Sequence, residues 1–163
     1  MPTEGSIVPK PWTPELRCSG CMMHHNTLTA QAIGHILLVD DEDDCNFVTR
    51  LVLKKAGFTG RLTCFTSAEM ALAYMRKGED LPDIMFVDIN MPAVNGFEFL
   101  ATCEAEKLLP NDVTSVIMFS SSNRPSDLER ALSFNSVIGY VEKALSVDSF
   151  ERVLKDHTKA RGL

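Results

Sequence analysis

"HILLVDDEDD", residues 35–44, runs the apolar segment Ile36–Val39 straight into Asp40, Asp41, Glu42, Asp43 and Asp44. The apolar part is short and does not alternate with polar residues, which fits a strand buried on both faces. Carboxylates packed this closely repel one another, and a plain solvated turn has no need of them. The stretch therefore predicts a buried strand whose carboxyl end holds negative charge for a reason.

The same texture returns along the chain. "RLTCF" (61–65), "DIMFVDI" (83–89), "VTSVIMFS" (113–120) and "VIGYVEK" (137–143) are further apolar runs expected as strands buried on both faces. Helical patterns lie between them. Phe47, Val48, Leu51 and Val52 share one face, and Gly57 follows as a stop signal. Met70, Ala71, Ala73 and Tyr74 follow Ser67, an N-cap residue type. Phe97, Leu100 and Ala101 follow Asn95, with Glu98 placed as the far half of a capping box. Leu128, Ala131 and Leu132 follow Pro125 and Ser126, with Glu129 three residues beyond Ser126. Val147, Phe150, Val153 and Leu154 form the last stripe, after Ser146. Five strand–helix units predict an α/β fold, a parallel five-stranded sheet with helices on both faces in the order 2-1-3-4-5.

Composition bounds the function. The chain has 163 residues, 45% of them hydrophobic, and a formal net charge of −6. That suits one domain with tails and argues against direct binding to nucleic acid or an anionic membrane. No apolar run approaches the roughly 20 residues of a membrane helix, and no secretory signal is visible. Five cysteines, Cys18, Cys21, Cys45, Cys64 and Cys103, are an odd number. The last three sit in apolar or helical contexts, so a reduced, cytoplasmic protein is expected. Residues 1–34 carry Pro2, Pro9, Pro11 and Pro14 without sustained periodicity. They read as a disordered, dispensable extension, with the domain at 35–160. Cys18, Cys21, His24 and His25 suggest a metal set, but the histidines follow the cysteines too closely for the usual zinc spacing. Met22 or Met23 serves equally well as a native start.

In a sheet of this order, ligands sit beyond the carboxyl ends of the strands. The first strand ends in Asp40 and Asp41, the third in Asp88, the fourth in Ser120 and the fifth in Lys143. Three carboxylates there demand a divalent cation or the lysine as neutraliser, and all-oxygen ligation fits Mg²⁺ better than zinc. Asp40 and Asp41 serve as ligands, with the Asn90 carbonyl as a further hard oxygen. The set suits phosphoryl transfer, with Asp88 as nucleophile at the end of the central strand.

"LLVDDED", "FVDINMPAVNGFEFL", "VIMFSSSN" and "GYVEKAL" resemble, in order and spacing, the motifs of receiver domains from two-component response regulators. The resemblance covers residues 35–158 and implies the flavodoxin-like (βα)5 fold. It also implies that Asp88 is the phospho-acceptor and that Asp40, Asp41, Asp88 and the Asn90 backbone carbonyl hold Mg²⁺, or Mn²⁺. Ser120 is then the hydroxyl that senses the phosphoryl group, Lys143 the family's lysine, Tyr140 the switch aromatic and Gly96 the family's glycine after the third strand. Implied partners are a sensor histidine kinase or phosphotransfer protein and an unidentified downstream protein. With only a short tail after the last helix, a stand-alone receiver is expected rather than an enzyme with its own substrate. One departure stands out: the family has Pro, after a cis bond, where this chain has Ala144. A non-proline cis bond costs about 2.5–4 kcal/mol, so a trans bond is expected.

Three rivals stand beside this reading. A haloacid-dehalogenase-type phosphatase would need DxDx[TV], where this chain reads "DINMP". A flavodoxin-like electron carrier would need a first loop friendly to phosphate, whereas this one is acidic. A phosphorylation-independent interaction domain has only the missing proline in its favour.

Overall fold

The computed structural model describes residues 30–163. Strands β1 (His35–Val39), β2 (Arg61–Phe65), β3 (Ile84–Asp88), β4 (Ser115–Ser120) and β5 (Val137–Glu142) alternate with helices. The helices are α1 (Asp43–Lys55), α2 (Ala68–Lys77), α3 (Gly96–Ala105), α4 (Pro125–Leu132) and α5 (Val147–Arg161). The sheet runs β2-β1-β3-β4-β5 with every neighbouring pair parallel, as the alternation predicts.

Successive strand residues face opposite sides of a sheet, so each central strand feeds two cores. Ile36, Leu38, Ile84, Phe86, Ile117 and Phe119 point to the side closed by Leu53 of α1 and Phe150, Val153 and Leu154 of α5. Leu37, Val39, Met85, Val87, Val116 and Met118 point to the side closed by α2, α3 and α4. Every residue of β1, β3 and β4 is buried. β2 departs from the expected double-sided burial, for none of its residues is fully buried. It is an edge strand with β1 as its one neighbour.

Most helix starts follow the sequence signals. Ser67 Oγ accepts from the Met70 N–H at 3.3 Å, and Asn95 with Glu98 completes a capping box. Ser146 caps α5 in partnership with Ser149. α4 differs: Arg124 is the N-cap, without a side-chain bond, and Ser126 lies inside the first turn. Pro125 accounts for the shift, since its missing N–H and preset φ suit the first helical position.

α1 is turned against its apolar pattern. Asn46, Thr49 and Leu53 are buried, while Phe47 is 60%, Leu51 52% and Val48 38% exposed. The anchor is polar: Asn46 Nδ2 donates to the Asp40 backbone carbonyl at 3.0 Å, which fixes the rotation of the helix.

The domain begins before His35. Ala30 and Ile33 are buried in the core beside Ile36 and Leu38, so residues 30–34 pack on the domain rather than trail from it. The rest of the expected extension, with the Cys18, Cys21, His24 and His25 set, lies outside the described residues. A chain beginning at Gly34 is expected to lose roughly 2 kcal/mol relative to one beginning at Thr29, the scale for a buried Ile side chain. Equal denaturant midpoints for the two chains would contradict this.

Candidate functional site

β1 and β3 lie side by side, so their carboxyl ends bring Asp40 and Asp88 to one rim. Both are buried, Asp40 fully and Asp88 at 1% exposure. Lys143 reaches them from just beyond β5, its Nζ 2.7 Å from Asp40 Oδ2 and 3.3 Å from Asp88 Oδ2. The same ammonium lies 5.6 Å from the centre of the Phe119 ring and 4.0 Å from Glu42 Oε1.

The expectation for the bond after Lys143 is corrected. Lys143–Ala144 is cis despite the absence of proline. The local preference for trans is overridden by anchors on both sides. Lys143 N–H donates to the Ser120 carbonyl at 2.8 Å, its ammonium is held by two carboxylates, and Leu145 is buried in the core.

The remaining polar atoms are unevenly served. Asp40 Oδ1 accepts from the Glu42 N–H at 2.9 Å and Asp88 Oδ1 from the Asn90 N–H at 3.2 Å. Asp40 Oδ2 and Asp88 Oδ2 have the Lys143 ammonium as their one polar neighbour among the described residues, and Asp41 Oδ1 is buried with no polar partner there. One carboxylate oxygen from each of Asp40, Asp41 and Asp88 lies within 4.8 Å of the others. Three carboxylates against one ammonium leave two negative charges over, and three clustered oxygens of this kind fit the donor set a hard divalent cation takes.

Burial pushes the Asp88 carboxyl up to about 6, with Lys143 opposing and Asp40 adding to the rise. Burial also raises Asp40, against the pull of Lys143. Burial works against the charge on Lys143 as well, but Asp40 and Asp88 outweigh it and hold the ammonium above its usual range. At neutral pH Asp88 is thus ionised, yet costly to keep so.

This has a measurable consequence. Folded Asp88 keeps its proton to about pH 6, against a reference of 3.8, so over that window the folded state binds more protons. Its contribution to stability is whole below the lower value and is lost as pH rises through the upper one. His35 and His157, both lowered by burial, pull the opposite way, so the comparison must isolate Asp88. In EDTA, the stability advantage of Asp88→Asn over wild type is expected to shrink from pH 7 to pH 5. A gap that does not change with pH would remove burial of this charge as the cause.

The strand-end hydroxyl and the aromatic are joined through a residue the sequence did not single out. Ser120 Oγ accepts from the Ser122 N–H at 3.0 Å, and Tyr140 Oη donates to the Ser122 carbonyl at 2.5 Å. Ser122 Oγ in turn donates to Asp127 Oδ2 at 2.6 Å. Beside them an open polar depression of about 350 Å³ is lined by Asn90, Ser121, Ser122, Asn123, Arg124 and Asp127. Asn46 and Ser122 escape a sequence reading because the bonds that matter involve backbone groups: the Asn46 amide donates to the Asp40 backbone carbonyl, and Ser122 is held by its own N–H and carbonyl. Gly96 has a plain steric duty: a Cβ there would lie 2.2 Å from the Asp88 carbonyl oxygen.

A doubly wound parallel sheet with two buried carboxylates and a lysine converging at the carboxyl edge defines a class of α/β proteins whose site lies at the rim between β1 and β3. Residues 36–155 match the response regulator receiver domain family, and the chain belongs to it. Among relatives, the probable methanogenesis regulatory protein FilR2 of Methanothrix harundinacea is 30% identical over 125 residues, covering 74% of this chain and 79% of that one. The two-component response regulator ARR2 of Arabidopsis thaliana is 28% identical over 118 residues, which are 72% of this chain but only 17% of that protein. The crystal structure of a two-component response regulator from Cytophaga hutchinsonii superposes with a TM-score of 0.71 at 27% identity, covering 78% of this chain and 98% of that one. The chain is therefore a receiver domain of two-component signalling. No helix among the described residues is long and apolar enough to cross a membrane.

Proposed function

We propose that the domain accepts a phosphoryl group on Asp88 from a phosphohistidine of a sensor kinase or phosphotransfer protein, with Mg²⁺ bound, and passes the change to a protein partner. The observation that carries this is the buried constellation itself: Asp88 at 1% exposure, Lys143 Nζ at 3.3 Å, and carboxylate oxygens with no other partner. In the transfer an Asp88 carboxylate oxygen forms the new O–P bond as the P–N bond of the donor breaks. The bonding pair leaves with the imidazole nitrogen, which takes up a proton. Lys143 lies where it can neutralise charge on the transferred oxygens, and Ser120 offers a hydroxyl at the end of β4. Asp40, Asp41, Asp88 and the Asn90 carbonyl would hold Mg²⁺, which supplies charge neutralisation as negative charge gathers on the phosphoryl oxygens. The protein is the substrate of this reaction rather than an enzyme acting on another molecule. We also read it as working without an attached output domain, as suggested by the match to 79% of the archaeal relative's length.

Intact-mass measurement after acetyl phosphate treatment tests the proposal. One phosphoryl adduct is expected with Mg²⁺ or Mn²⁺ and none with EDTA. Labelling that ignores EDTA would overturn the metal requirement. Absence of labelling from both acetyl phosphate and a phosphorylated histidine kinase, in a folded protein with Mg²⁺, would favour a phosphorylation-independent interaction domain.

A further inference from the structure

His35 opens β1 at the end of the sheet opposite the carboxylate rim, 6% exposed and with both ring nitrogens engaged. Arg61 Nη2 lies 3.0 Å from His35 Nδ1, and Thr63 Oγ1 lies 2.9 Å from Nε2. A guanidinium carries donors and no acceptor, so Nδ1 accepts, and the one ring proton sits on Nε2 and is donated to the Thr63 hydroxyl. The same Arg61 Nη2 also pairs with Asp80 Oδ2, so one guanidinium is shared between an imidazole and a carboxylate. Tyr74 of α2 fixes Asp80, its Oη donating to the Asp80 carbonyl at 2.9 Å, with Oδ2 at 3.4 Å, while its ring stands edge-on to His35. Asp83 Oδ2 accepts from the N–H groups of Gly34 and His35, both at 2.9 Å. A second ring proton, on Nδ1, would aim N–H at N–H and set two cations about 3 Å apart where little water screens them.

We infer that Arg61 is a latch released by a proton on His35: the new Nδ1–H takes Asp80 as its acceptor, and the guanidinium swings out to solvent. The proton comes from water and stays on the ring, and Asp80 exchanges one cation for another, so the ion pair is conserved. The arginine and aspartate side chains are each about half exposed, which gives the guanidinium a way out. The charged groups that bear on the ring are Arg61 from β2, and Asp80 and Asp83 from the loop between α2 and β3. Burial and Arg61 keep the ring neutral, while Asp80 and Asp83 pull the other way and lose. The folded ring therefore takes its second proton below the ordinary 6.5, so the latch is closed above that value and opens as pH falls beneath it. Arg61 is the first residue of an edge strand, and its ion pair ties that strand to the loop before β3. Release frees the start of β2 and residues 78–81 together.

The inference is independent of phosphoryl transfer, since the carboxylates lie at the other ends of β1 and β3. Nitrogen NMR of the full chain from roughly pH 8 to pH 5 tests it, a range that brackets histidine titration. At the upper end His35 is expected as the Nε2–H tautomer. On acidification, Nδ1 is expected to gain its proton in the same step as the Arg61 side-chain resonances shift and amide protection falls at residues 61–63 and 78–81. His157 is the internal control, because its Nδ1 meets the Ser115 hydroxyl at 2.9 Å rather than a guanidinium. Arg61→Met is expected to raise the His35 midpoint, and His35→Gln to abolish the acid-induced loss of protection at 78–81. An Nδ1–H tautomer in the wild type, or Arg61 resonances that ignore the His35 titration, would overturn the inference without any variant. So would an Arg61→Met midpoint no higher than that of the wild type, loss of protection that persists in His35→Gln, or unfolding of the whole domain before His35 titrates.

Discussion

Asp88→Asn is expected to accept no phosphoryl group and, without metal, to be more stable than the wild type at pH 7. The two outcomes share one cause. Burial holds the Asp88 carboxyl at about 6 against a reference of 3.8, so keeping it ionised at neutral pH opposes folding. At about 1.4 kcal/mol per unit, the relief from an uncharged amide is on the order of 2–3 kcal/mol. Lys143 is not orphaned by the change, since Asp40 Oδ2 remains 2.7 Å from its ammonium. Intact mass after acetyl phosphate and a urea titration in EDTA measure the two effects on one sample. A variant that is labelled like the wild type would remove Asp88 as acceptor. One that is unlabelled but no more stable would show that the carboxylate is already neutralised in the folded protein.

Gly96→Ala is expected to damage both the fold and the site. The added methyl would sit 2.2 Å from the Asp88 carbonyl oxygen and 3.1 Å from the Ile89 Cα, both backbone atoms with no rotamer to escape into. Gly96 also donates its N–H to the Ile89 carbonyl at 3.0 Å, so the start of α3 is tied to the segment it would have to leave. Overpacking of this kind costs about 1–3 kcal/mol or more. The strain falls on Asp88, the proposed phospho-acceptor, and a misplacement near 1 Å can slow a reaction about a hundredfold. Gly34→Ala is the control, because its Cβ would meet Asp83 Oδ2 at an ordinary 3.5 Å. Urea midpoints and phosphorylation rates for the pair should separate cleanly. Equal behaviour of the two variants would show that α3 can move away from β3 without consequence.

The candidate site was legible in the sequence wherever a polar residue coincides with a strand end. Asp40, Asp88, Ser120 and Lys143 each terminate or follow an apolar run, and a parallel sheet brings such ends together whatever the rest of the chain does. The capping residues Ser67, Asn95 and Ser146 were legible because a cap is a local bond between near neighbours. Errors arose where a distant partner decided the outcome. α1 reads as amphipathic with Phe47 and Leu51 inward, yet the hydrogen bond from the Asn46 amide to the Asp40 carbonyl, with Thr49 and Leu53 buried on the same side, leaves that face to solvent. The Lys143–Ala144 bond reads as trans because only nearby residues enter that preference, while its anchors are Ser120, Asp40 and Asp88. Ala30 and Ile33 read as tail because two apolar residues make no period, yet both fill space beneath β1.

Ser122 is gripped at both ends of its peptide units, by Ser120 Oγ at its nitrogen and by Tyr140 Oη at its oxygen. In mechanical terms the end of β4 and strand β5 are coupled through two joints in series. A displacement of Ser120 reaches Tyr140 through two hydrogen bonds, 3.0 Å at the Ser122 nitrogen and 2.5 Å at its oxygen, rather than through a relay of packed side chains. The coupling also works in reverse, so that a partner seated on Tyr140 would press on the hydroxyl of Ser120 through the same two joints.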